Sequence, residues 1–156
     1  MDPNPFAALS LIVAPAILTN ASSVLAMSTS NRLARAVDRA RELSRELERD
    51  PDGHDRVRLL RDLSVTETRA LLLLRVLSSF YIALASFALA ALASLIGAAV
   101  TSTGQQTIVN AFEGVGIAAG IVAVGALMHG AVLLVRETRL AVGVLQERAA
   151  AARAQR

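Results

Sequence analysis

Charge disappears from this chain in three long stretches. Phe6–Ser30 and Val76–Val100 hold no charged residue, and Ile108–Val135 holds only Glu113 and His129. A helix needs about 20 apolar residues to cross a bilayer core, and each stretch clears that length. Each is also free of charge at its centre, where one charge would cost about 3 kcal/mol. The pattern predicts an all-α membrane protein with three transmembrane helices.

Between the first and second stretches the pattern turns amphipathic. Nothing from Phe6 to Glu48 stops a helix, so one long helix is expected to leave the membrane and continue. Leu33, Ala36, Ala40, Leu43 and Leu47 recur at alternating steps of three and four, the seam of a packed helix pair. Asp38–Arg41, Glu42–Arg45 and Glu46–Arg49 stand three residues apart, each pair worth a few tenths of a kcal/mol. The run DPDGHD at 50–55 then turns the chain, because Pro and Gly end one helix and Asp starts another. A return helix from about Arg56 carries Leu60, Leu63, Ala70 and Leu74 inward and runs into the second apolar stretch. Residues 32–75 are therefore expected to form a cytoplasmic antiparallel helical hairpin.

On this reading the outer tail and first span occupy 1–31, the hairpin 32–75 and the second span 76–100. An outer loop follows at 101–107, then the third span at 108–135 and a tail helix at 136–156. Every arginine lies in 32–75 or 136–156. Basic residues gather on the cytoplasmic side, which predicts a multi-pass membrane protein with its N-terminus outside and its C-terminus in the cytoplasm. The first stretch lacks a basic residue before it and a small-residue cleavage pattern after a short apolar core, so it is expected to stay with the chain.

Composition removes several classes of function. Of 156 residues 54% are hydrophobic and 19% charged, and cysteine is absent, which excludes disulfides and thiolate metal sites. The hairpin carries 11 Arg against 9 acidic residues with the signs interleaved, so it lacks the sustained basic face that nucleic acid requires. The tail, with 5 Arg against 2 Glu, suits anionic membrane lipid. No Ser-His-acid set, phosphate loop or zinc motif is present, so no enzyme activity and no cofactor is expected. His129 has no second ligand at metal-binding spacing, and His54 falls in the turn.

Polar groups within the apolar stretches are the candidates for function. On a helical wheel Ala16, Thr19, Asn20, Ser23, Met27, Ser30 and Asn31 fall within a stripe about 120° wide. Such a stripe lines a pore if several copies ring an axis, with Thr19, Asn20, Ser23, Met27 and Ser30 facing the water. The alternative is that these groups bond their own backbone or a packed neighbour. Glu113 shares a face with Gln106, Asn110, Gly116 and Gly120, roughly 9 Å below the outer start of the third helix. In an oligomer it would form an acidic ring that, with Asp2, gathers cations. At the inner surface Asn31, Arg32, Arg35, Asp38, Arg75 and Arg136 are expected to form a collar of ion pairs locking the three helices.

Pro15 in the first span, Asn31-Arg32, Arg35, Asp38-Arg39 and Arg41 after it, Arg75, and Arg136-Glu137-x-Arg139 together form a pattern. It resembles a widespread family of short three-span bacterial membrane proteins catalogued only as a domain of unknown function. The run ASSVLAMSTS before the Asn-Arg pair differs from the apolar, Leu-rich run usual there. The resemblance implies the three-span architecture and a bacterial inner membrane, and leaves activity open. The leading expectation is a homo-oligomeric, cation-conducting channel lined by the first helix, its partners being membrane lipid, further copies of itself and inorganic cations. The alternative is a non-conducting scaffold or accessory subunit that binds a partner through the hairpin. A small transporter is a third reading, disfavoured because three spans leave little room for an alternating-access site.

Overall fold

The computed structural model describes residues 5–50, 55–101 and 104–154, with side chains for 13, 16–50, 55–101, 104–143 and 153. Those residues form three helices and no strand: α1 Pro5–Arg49, α2 Arg56–Val100 and α3 Gln106–Ala154. Turn chemistry sets the ends. Asp50 N–H closes α1 on the Glu46 carbonyl at 3.3 Å, and the Asp55 carbonyl accepts the Leu59 N–H at 2.9 Å to open α2. Beyond α2, Gly104 has φ +71°, a conformation that side chains with a Cβ disfavour. Its carbonyl accepts from Gln106 N–H at 3.1 Å, where α3 begins. Helix α3 then continues without a break through 135–136, where the apolar stretch meets the first arginine of the tail.

Two of the helices, α2 and α3 as far as Gly143, are long and apolar enough to cross a membrane. The chain forms two compact units, each drawing on all three helices. The first contains 1–27 and 78–129, the second 28–77 and 130–156.

In the first unit Ala83, Phe87 and Ala123 form a buried cluster, with Leu18, Ala126 and Leu127 against it. Small residues hold this contact close. A Cβ placed on Gly116 would lie 3.7–3.8 Å from Ser94 Oγ, the Ala90 carbonyl oxygen and Ala93 Cβ, so the glycine sits against the α2 backbone in ordinary contact. Gly120 has nothing within 4 Å of such a Cβ. Large apolar side chains point the other way: Leu89, Leu92, Leu95, Ile117 and Ile121 are all exposed. Apolar surface outside and small residues inside is the arrangement a helix has in lipid.

The second unit buries Leu43, Leu73, Val76 and Leu133. A hairpin of two arms was expected in this part of the chain; α3 contributes a third segment, and its Glu137 is fully buried.

Candidate functional site

Helix α1 presents two different polar sides. Ser22 and Thr29, with Ala26 between them, are buried, and Leu33, Ala36, Ala40 and Leu43 continue the same three-and-four spacing. The stripe read from the wheel lies off this seam. Asn20, Ser23, Met27, Ser30 and Asn31 are exposed and Thr19 is half-buried. Ser23 Oγ donates to the Thr19 carbonyl at 3.0 Å, so part of the stripe does bond its own backbone. The buried Ser22 Oγ has no hydrogen-bond partner among the described residues.

Glu113 is exposed. On its helix Gln106 Nε2 donates to Asn110 Oδ1 at 3.1 Å. Asp2, the second residue expected to gather cations, lies outside the described residues, as does His54.

The collar has a different centre from the one the sequence suggests. Glu137 of α3, fully buried, receives Arg69 of α2 on Oε1 from both Nε and Nη2, at 3.0 and 2.9 Å. Arg32 Nη2 of α1 stands 3.0 Å from Oε2. That contact is an ion pair without hydrogen-bond alignment, since Oε2 accepts no hydrogen bond; the same nitrogen donates to Thr138 Oγ1 at 3.4 Å. One carboxylate thus joins all three helices. Asp38, expected to anchor the collar, is 73% exposed and pairs with Arg41 of its own helix at 3.8 Å. Arg35, Arg75 and Arg136 are exposed, and Asn31 is too. Farther along α1, Arg39 bonds Glu42, which raises the guanidinium pKa against the opposing effect of desolvation.

His129 is also paired. Its Nδ1 lies 3.0 Å from Ser79 Oγ, which is buried between α2 and α3. Either group can be the donor, according to the tautomer. The contact ties α2 to α3 within the first unit. No group of three His, Asp or Glu side chains capable of holding a metal occurs among the described residues.

Arg69, Ser79 and Ser22 are site residues that sequence reasoning did not single out, and Glu137 entered only as part of the family pattern. For Glu137 a signal existed, because it falls in phase with Ala119, Ala123, Gly130 and Leu133 on the buried side of α3. A family model described as "Protein of unknown function (DUF2721)" matches residues 12–147. No curated protein and no solved structure matches the chain.

Proposed function

We propose, for a chain that belongs to the DUF2721 family of proteins of unknown function, that it is a homo-oligomeric, cation-conducting channel of a bacterial inner membrane. Helix α1 crosses the bilayer beside α2 and α3, with the N-terminus outside and the 32–75 hairpin and tail in the cytoplasm. One observation carries this reading. The polar stripe Asn20, Ser23, Ser30 and Asn31 is turned outward, away from the seam that holds α1 to its neighbours. Amide and hydroxyl groups on an outer membrane face are costly against lipid. A ring of copies removes the cost by turning the stripe toward a common water-filled axis. Glu113, also exposed, then stands where a ring of carboxylates concentrates cations.

A second reading, a non-conducting scaffold, is favoured by the first turns of α2. Val57 is 81% and Leu60 46% exposed there, among residues expected to stand in water. Such apolar side chains suit a protein partner.

Ion flux into liposomes distinguishes the two. Wild-type protein is expected to pass cations, with flux reduced in both Ser23→Leu and Glu113→Gln. Flux that neither change alters removes the proposed lining. No flux at any voltage or calcium concentration leaves the scaffold.

A further inference from the structure

Ala131, Val132, Val135, Arg136 and Arg139 of α3 line a groove of about 390 Å³ on the outward side of the second unit. Its aliphatic part is three side chains on one helix face, and its basic part is two arginines three residues apart. Neither guanidinium has an ion-pair or hydrogen-bond partner among the described residues. The acidic residue between them, Glu137, is turned inward and already ion-paired with Arg32 and Arg69. The groove therefore offers two guanidiniums without a partner among the described residues, at the end of an apolar surface and within the part of α3 that is apolar enough for a membrane.

A ligand complementary to this surface has an anion at one end and a hydrocarbon chain at the other. Guanidinium forks match phosphate oxygens in pairs, and basic groups at the cytoplasmic ends of spans hold anionic headgroups. We propose that the groove binds an anionic phospholipid of the inner leaflet, its phosphate on Arg136 and Arg139 and an acyl chain along Ala131, Val132 and Val135. This site rests on the membrane reading given above and is independent of whether the protein conducts.

The chain contains no tryptophan, so Val132→Trp creates a single fluorescent reporter in the groove. Ile117→Trp places a control on an outward position of the same helix in the first unit. Each is reconstituted in phosphatidylcholine vesicles containing either brominated phosphatidylglycerol or brominated phosphatidylcholine, whose bromines quench a nearby indole. At position 132 the anionic lipid is expected to quench more strongly, by an amount equivalent to roughly thirtyfold preferential occupancy for two arginines at about 1 kcal/mol each. The preference should fall to parity with Arg136→Gln and Arg139→Gln together and largely persist when both are Lys. No preference is expected at position 117. Equal quenching by the two lipids at 132 overturns the site and leaves the membrane reading intact. A preference that survives the double Gln change also overturns it. Absence of quenching by either lipid at both positions overturns the site and the membrane reading together.

Discussion

Arg69 places two of its nitrogens, Nε and Nη2, on the same oxygen of Glu137. The fork closes on one atom because Oε2 is turned toward Arg32. The three charges are unequally buried: Glu137 has no exposed side-chain surface, whereas Arg32 and Arg69 are 33% and 34% exposed. Removing the carboxylate lets both arginines reach water. Removing both arginines strands a carboxylate with no route to solvent. Arg32→Gln with Arg69→Gln is therefore expected to destabilise the protein by about 3 kcal/mol, and Glu137→Gln by clearly less. Thermal unfolding in detergent, followed by circular dichroism, orders the two. A larger loss for Glu137→Gln would contradict this account.

Asp38 provides the contrast. It is mostly exposed, 3.8 Å from Arg41, and pairs of this kind contribute less than about 1 kcal/mol. Asp38→Ala is expected to leave the unfolding midpoint nearly unchanged. The Arg39–Glu42 pair, also exposed, should behave alike and weaken further in high salt.

The small-residue contact between α2 and α3 has no room for growth at its centre. Ala123 is fully buried against the Phe87 cluster, so Ala123→Leu is expected to cost about 1–3 kcal/mol through overpacking. Gly120→Ala meets nothing within 4 Å and should not lower the stability of a single chain. Comparing the two in size-exclusion chromatography separates fold from assembly: a change of oligomer size in Gly120→Ala, at unaltered helicity, would place that position between copies.

Ser79→Ala removes the hydroxyl that meets His129 Nδ1 at 3.0 Å. A loss of about 1 kcal/mol is expected, read as a lower unfolding midpoint. Nitrogen NMR of the histidine ring should show a changed tautomer balance in the variant; an unchanged spectrum would mean that the contact does not hold the ring.

The helices were legible from the chain because their ends are written in strong local chemistry, the Asp-Pro-Asp-Gly run above all. The seam of α1 was equally legible from Leu33 to Leu43, since packed helices demand that spacing. Which side of α1 packs higher up was not. Both sides carry hydroxyls, and a helical wheel cannot distinguish Ser22, which is buried, from Ser23, which is exposed. Of the residues expected in the collar, Arg32 pairs with Glu137 of α3, whereas Asp38 pairs with Arg41 of its own helix. Asp38 stands in a recognisable motif, but exposure depends on helical phase, and phase favours Glu137. Arg69 meets Glu137 across 68 positions, a register set by how α2 and α3 pair and not by any local pattern.

Two guanidiniums surround one carboxylate in the Glu137 cluster, which leaves one positive charge in excess. On the proposed topology that charge is fixed near the cytoplasmic ends of the spans. A unit charge acts on a cation about 10 Å away with about 0.4 kcal/mol in water. Multiplied over the copies of a ring, such a charge opposes entry from the cytoplasmic side. The current–voltage curve of the proposed channel would then be asymmetric about zero, passing cations more readily inward than outward.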